Sequence, residues 1–263
     1  MTAPVYEQLV TVTPYASLVL QSNPGLMTLD GTNTWLLRAP GTDRTVLVDP
    51  GQEDQTHLET VLAAAGSVEA VLLTHGHYDH CQVAARVHEL TGAPVRGVDP
   101  KLCIGGAAFA DGEVVEAAGL RIQIWATPGH SADSASFVIA DSDGTAGAVL
   151  TGDTILGRGT TVVAFPDGDL GSYLASLRRL RELGDLTVLP GHGPVLEHAG
   201  EVAQFYLDHR EQRLDQVRAA VAALGPEASA RAVVERVYVD VDEALWDAAE
   251  VSVEAQLAYL RAH

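Results

Sequence analysis

The stretch "THGHYDH" (residues 74–80) follows directly on the apolar run "AVLL" (70–73). His75, His77, Asp79 and His80 crowd into it at what reads as the end of a buried strand. Polar side chains at that density beside buried structure cost free energy unless a common partner uses them together. Other polar residues stand in the same kind of place: Asp49 in "TVLVDPG" (45–51), His130 in "RIQIWATPGHS" (121–131), Asp153 in "GAVLTGDTI" (147–155) and His192 in "LTVLPGHGP" (186–194). Strands buried between helices end together at one edge, and the loops that follow them converge there. Imidazoles and carboxylates gathered at such an edge form the donor set of a divalent metal. Two groups of them suit two ions that share a bridging carboxylate.

The 263 residues, 47% hydrophobic, are enough for one large domain with a small appendage. Sixteen Lys and Arg against 35 Asp and Glu give a formal charge of −19, and Lys101 is the single Lys. That balance favours solubility and repels polyanions at long range. Cys81 and Cys103 are too few for a disulfide framework, which fits a reducing compartment. The N-terminal "MTAPVYEQLVTVTP" has neither the basic start nor the apolar stretch of a signal peptide, and no run reaches the ~18 apolar residues of a membrane span. The expectation is a cytoplasmic protein without membrane association.

Short β-type runs alternate with turn signals over the first two thirds. Residues 9–21, 32–39 and 45–51 read as strands, as do the stretches leading into His75, His130, Asp153 and His192. Helical spacing marks 57–66, 81–92 and 171–184, and from about residue 200 the pattern is helical throughout. The reading is an α/β layered catalytic domain over residues 1–205, with a helical C-terminal extension over 206–263.

The set His75, His77, Asp79, His80, then His130, Asp153 and His192, resembles the metallo-β-lactamase fold superfamily. Within it, "NPGLMTLDGTNTWLL" (23–37), "TPGHSADS" (127–134), "TGDTILGRGTT" (151–161), "PGHGPV" (190–195) and "FYLDHREQR" (205–213) are similar to the beta-lactamase-like endoribonuclease branch and its bacterial relatives. The resemblance implies a four-layer αβ/βα sandwich with both metals at one edge and a partial winged-helix-like extension. It implies a first zinc on His75, His77 and His130 and a second on Asp79, His80 and His192, with Asp153 bridging. Asp79 and Asp153 are the catalytic carboxylates on this reading, and a hydroxide shared by the two ions attacks a polarised carbonyl or phosphorus centre.

Several neighbours admit two readings. Asp49 either orients a ligand imidazole or caps the turn before Pro50. Tyr78 lines the pocket mouth or packs, and Cys81 reads as a small packing residue. Asn33 and Thr34 donate to substrate or form a hairpin turn; Arg158 contacts an anion or is a solvated loop residue. His209 and Arg210 face the pocket or pack a helix onto the sheet, and His57, His88, His198 and His263 read as surface residues.

The superfamily resemblance covers hydrolysis of esters, thioesters and lactams, and the branch points to single-stranded RNA. Charge ranks a small carbonyl substrate first, with RNA cleavage as the alternative. Residues 206–263 hold six Arg against eleven Asp and Glu, and no strand-turn-strand wing is expected after "YLRAH" (259–263). An iron-dependent persulfide dioxygenase is the third reading, because Asp79, His80 and His192 do not exclude it.

Overall fold

Period-2 alternation in which both sets of positions are apolar marks strands buried on both faces, and it decides the layers here. The structure is a computed structural model that describes residues 4–140 and 146–263. Its strands are β1 (Leu9–Thr11), β2 (Ala16–Leu20), β3 (Asn33–Leu37), β4 (Arg44–Val48), β5 (Ser67–Leu72), β6 (Val95–Arg96), β7 (Val114–Ala117), β8 (Leu120–Ala126), β9 (Ala135–Ala140), β10 (Ala146–Gly152) and β11 (Thr187–Pro190). Its helices are α1 (Gln55–Ala65), α2 (Tyr78–Cys81), α3 (Ala84–Thr91), α4 (Leu170–Arg181), α5 (Ala199–Leu224), α6 (Ala230–Val237) and α7 (Trp246–Ala262). The sheets have the orders β1-β2-β3-β4-β5-β6 and β11-β10-β9-β8-β7.

Trp35, Leu37, Val46, Val48 and Leu72 of the first sheet meet Ile122, Ile124, Phe137, Ile139 and Leu150 of the second in one buried cluster. The intervening residues Leu36, Leu47 and Val71 turn to the other face and pack with Leu58 and Val61 of α1 and Val87 of α3. On the second sheet, Val138, Val149 and Val188 do the same against Tyr173 and Leu177 of α4 and Ala203 and Tyr206 of α5. The result is the expected four-layer sandwich, with a further cluster joining Val217 and Ala220 of α5 to Val233 of α6 and Val253 and Leu257 of α7. α5 runs without a break through position 205.

Two expectations change and one strand is added. Residues 9–21 are a hairpin rather than one strand, pairing Val10 with Leu18, because Thr13 Oγ1 accepts from the Ala16 amide at 3.0 Å and turns the chain. β7 pairs antiparallel with β8 in a region that shows little apolar pattern. His57 is fully buried: Nδ1 lies 2.7 Å from Glu7 Oε2 and Nε2 lies 2.9 Å from Thr34 Oγ1, so both ring nitrogens are satisfied inside the protein. Among the described residues no helix is long and apolar enough to cross a membrane.

The turn before His130 is fitted to α4 by a glycine. Gly129 has φ +140°, and a Cβ there would stand 2.3 Å from Tyr173 Cα, a backbone atom that cannot swing aside. Gly129→Ala is expected to destabilise by more than about 4 kcal/mol, lowering Tm by roughly 10 °C or more. Gly112 also has positive φ (+78°) but meets nothing within 4 Å, so Gly112→Ala carries only the backbone cost of about 1–2 kcal/mol. Equal losses for the two variants in thermal unfolding would refute the steric reading.

Candidate metal centre

Strand direction brings the polar residues together. β4 and β5 are parallel, as are β10 and β11. β8 and β10 are each antiparallel to β9, so they share a direction. Asp49, His75, His130, Asp153 and His192 therefore all leave strand ends at one edge. The two sheets are tied there by hydrogen bonds from Asn33 N to Gly191 O (2.8 Å), Ala135 N to Thr74 O (2.8 Å) and Trp35 Nε1 to Pro190 O (3.0 Å). The short helix α2 starts right after His77 and turns Asp79 and His80 inward while Tyr78 stays exposed.

The donor atoms form overlapping groups whose members lie within 4.8 Å of one another: His75, His77 and His130; Asp79, His80 and His192; and His75, His80 and Asp153. In the first group His77 Nδ1 lies 2.9 Å from His75 Nε2 and 3.1 Å from His130 Nε2. In the second, His192 Nε2 is 3.2 Å from both Asp79 Oδ2 and His80 Nε2. Asp153 spans the two, with Oδ1 3.5 Å from His80 Nε2 and Oδ2 3.4 Å from His192 Nε2 and 3.8 Å from His130 Nε2.

The opposite nitrogen of four rings is already engaged. His80 Nδ1 donates to Asp49 Oδ2 (2.9 Å), His130 Nδ1 to Val162 O (2.7 Å) and His192 Nδ1 to Gly31 O (3.0 Å). Thr74 Oγ1 gives its proton to Asp49 Oδ2 at 2.6 Å, which leaves its lone pair to accept from His75 Nδ1 at 3.0 Å. A proton held on the far nitrogen leaves Nε2 as a bare lone pair, the state a metal ligand needs.

Electrostatics agree. Burial would raise the Asp153 carboxyl, but His192 and His80 hold it well below the ordinary range. Burial and the neighbouring His80 push His75 well down. Burial would also lower His80, yet Asp153 and Asp49 carry it well up. His192 follows the same balance and is raised to about 9 by Asp153 and Asp79. Asp153 Oδ1 is buried with no hydrogen-bond partner. Converging lone pairs beside an orphaned, ionised carboxylate oxygen fit a divalent cation, and nitrogen with carboxylate donors suit zinc or iron.

Asp49 sits buried behind the donors, accepting from the Thr74 amide (2.8 Å) as well as from Thr74 Oγ1 and His80, so it orients ligands in addition to opening the turn. Asn33 is withdrawn from substrate: its amide donates to Pro190 O and Gly193 O, both at 2.9 Å, and clamps the His192 loop. Thr34 is likewise spent on Asp49 O at 2.7 Å. Arg158 is held by Asp30 through both guanidinium nitrogens, one of the two bonds at 2.8 Å. His209 lies on α5 and belongs to none of the donor groups; burial and the cations Arg210 and Arg213 lower it to about 4. Cys81 donates to Gly76 O at 3.3 Å and packs.

Sequence reasoning passed over Thr32, whose hydroxyl reaches Asp79 Oδ2 at 3.3 Å, and the carbonyls of Gly31 and Val162. A backbone carbonyl has no sequence signature. It also passed over Gly191, where a Cβ would stand 2.5 Å from Asp153 Oδ1.

Two outcomes follow from this support. Asp49→Ala removes the partner of His80 and, through Thr74, of His75, one imidazole from each group. Metal affinity is expected to fall roughly 10–100-fold, read by competitive titration; an unchanged affinity would show that the imidazoles orient themselves. In the metal-free chain His192 is raised to about 9, so its stabilisation is complete below about 6.5 and fades as pH climbs through about 9. Metal needs the unprotonated ring, so binding near pH 7 should expel a proton and tighten up to about pH 9. Calorimetry in buffers of different ionisation enthalpy reads that proton, and release of none would contradict the shift.

Residues 27–192, which hold every donor named above, match the Metallo-beta-lactamase superfamily, and residues 229–263 match the Beta-lactamase associated winged helix domain. A Drosophila melanogaster protein named Beta-lactamase-like protein 2 homolog is 32% identical over 265 residues, 92% of this chain and 86% of that protein. The atrochrysone carboxyl ACP thioesterase of Aspergillus fumigatus is 35% identical over 222 residues, 80% of this chain; the chain spans 66% of that protein's length. A beta-lactamase domain protein from Burkholderia ambifaria shares the fold at a TM-score of 0.82 and 21% identity, over 99% of this chain and 90% of its own. The chain belongs to the metallo-beta-lactamase superfamily and is a metal-dependent hydrolase of that superfamily.

Proposed function

We propose that the chain is a dinuclear zinc hydrolase of a small thioester or related ester-like carbonyl compound carrying an apolar acyl group. His75, His77 and His130 would hold one ion and Asp79, His80 and His192 the other, with Asp153 shared. Zinc bound there supplies Lewis-acid polarisation of the substrate oxygen and a water acidified to near neutral pH. Burial would raise Asp79, but His192 and His80 keep its carboxyl below the ordinary range, so it stays ionised at neutral pH. Its Oδ2 is fixed by Thr32 and His192, which lets the carboxylate orient an attacking water by accepting its hydrogen bond.

The observation that carries the substrate class is a set of exposed apolar side chains on segments that carry or support the donors, which we read as the rim of the centre. Leu26 and Met27 stand exposed in the loop that leads to Gly31 and Thr32, Tyr78 between His77 and Asp79, and Phe165 just beyond Val162. Two loops and the start of α2, each continuous in sequence with a donor or a donor's support, thus present apolar surface. The cation nearest in sequence to a donor-supporting loop, Arg158, is bound to Asp30. A single-stranded polyanion takes much of its affinity from Lys and Arg along its backbone, and this chain of charge −19 has one Lys. An apolar acyl group gains from the rim instead, at about 25 cal/mol per Å² covered. The similarity to a thioesterase points the same way.

The test compares acyl thioesters of increasing length, lactones and single-stranded RNA on zinc-loaded protein. Efficiency is expected to rise with acyl length, and Phe165→Ser and Met27→Ser to raise KM about three- to tenfold with kcat kept. Steeply salt-dependent RNA cleavage, abolished in Asp79→Ala and without ester turnover, would overturn the proposal in favour of a nuclease. Iron in the purified protein, with oxygen consumed on a persulfide, would overturn it in favour of a dioxygenase.

A further inference from the structure

The segment 154–162 joins the two halves of the centre. It begins beside Asp153 and ends at Val162, whose carbonyl accepts from His130 Nδ1 at 2.7 Å; Thr161 Oγ1 lies 3.1 Å from the same nitrogen. Helices α4 and α5 hold this segment at three points. Tyr173 Oη donates to Thr154 O at 2.7 Å. Tyr206 Oη accepts from Leu156 N at 3.0 Å and faces Leu156 O at 3.2 Å. Arg210 Nη2 donates to Thr161 O, one residue before the carbonyl that fixes His130.

Arg210 is an unusual residue to find there. It is only 5% exposed, its guanidinium lies 5.2 Å from the Tyr173 ring, and its Nε has no hydrogen-bond partner. No carboxylate pairs with it among the described residues. Burying a guanidinium without a counter-ion is costly, and an apolar side chain of similar length would fill the space at less cost. Packing alone therefore does not account for it; the Thr161 carbonyl does.

We infer that Arg210 is a positioning residue for the metal centre: by clamping Thr161 it sets the Thr161–Val162 carbonyl and hydroxyl against His130 Nδ1, and so selectively supports the group of His75, His77 and His130. The side chains of Asp79, His80 and His192 are supported from elsewhere, by Asp49, Gly31 and Thr32. The segment reaches that group only through Gly157 N, which donates to the His192 carbonyl at 2.8 Å, four residues before the clamped Thr161. The inference rests on the two-metal reading for its occupancy consequence but not for its hydrogen-bond consequence.

The experiment has two readouts on the full chain. The first is the His130 Nδ1–H proton resonance in metal-free protein. It is expected to be slowly exchanging in the parent protein, lost or broadened in Arg210→Met, and restored in Arg210→Lys, which keeps a donor. The second is competitive zinc titration, in which Arg210→Met should weaken one of two sites roughly 10–100-fold and leave the other within about threefold. Leu214→Ala, which opens the same buried cluster one turn further along α5 and removes no hydrogen bond to the segment, controls for destabilisation and should show no such split. An unaltered resonance, equal weakening of both sites, or the same split in Leu214→Ala would overturn the inference. Parent protein that takes up no zinc would instead refute the metal reading, while the resonance still decides the role of Arg210.

Discussion

One buried carboxylate sets the geometry of the centre. Asp49 accepts from the Thr74 amide, from Thr74 Oγ1 and from His80 Nδ1, at 2.8, 2.6 and 2.9 Å. Bonds to a charged acceptor are worth about 1.5–3 kcal/mol each when buried, enough in sum to offset its desolvation. The residue adopts φ +51°, a left-handed conformation that costs about 1 kcal/mol or more for a residue with a side chain. The parallel pairing of β4 with β5 makes this position available, since Val48 stands opposite Leu72 and the next residues out are Asp49 and the chain leading to Thr74. A shift of that register by one residue would exchange the faces of the whole strand and take Asp49 away from both imidazoles.

With Asp49 in place, proton bookkeeping across the centre becomes determinate. The far nitrogens of His75, His80, His130 and His192 each face an oxygen acceptor, so the near nitrogens are lone pairs pointed at one another. Lone pairs about 3 Å apart repel, and a protein tolerates that arrangement only where something positive is placed among them. In the metal-free chain the raised His80 and His192 supply that charge as protons, drawn by Asp153 and Asp79. Protons and a metal ion would thus compete for the same space, since the acidic pair that stabilises the first is among the candidate donors to the second.

The layers and most of this centre were legible in the sequence because they rest on patterns of side chains. Strands apolar on both faces, and polar residues at their ends, placed His75, His130, Asp153 and His192 before any coordinate. What was not legible depends on backbone or on long-range contact. The Val162 and Gly31 carbonyls could be any residue's. The sequence leaves Asn33 between a substrate donor and a turn residue, whereas its amide bridges Pro190 and Gly193, more than 150 positions away. His57 had no motif, yet Glu7, in irregular chain far off in sequence, gives it a buried partner. The hairpin is legible from Pro14, which interrupts the apolar run between β1 and β2, and the Thr13 hydroxyl closes the turn around it.

The supports also show that the two groups of donors are held by different parts of the molecule. The side chains of Asp79, His80 and His192 lean on Thr32, Asp49 and Gly31, all on the first sheet or the loop feeding β3, while the His192 backbone also accepts from Gly157 N at 2.8 Å. His130 leans on the segment 154–162, which is fastened to α4 and α5 behind the second sheet. Asp153 stands between them, close to Gly191, which lacks the Cβ that would push it away. Arg158 and Asp30 tie the second segment back to the first loop across the mouth. An exposed ion pair of that kind is worth about 1 kcal/mol or less, far below the core contacts on either side. The stronger ties between the halves are buried, from Asn33 N to Gly191 O, Ala135 N to Thr74 O and Gly157 N to His192 O. The two sheets are thus fixed against each other at the strand ends that carry the donors, and Asp153, among the described residues the one carboxylate within reach of both groups, stands at that fixed joint.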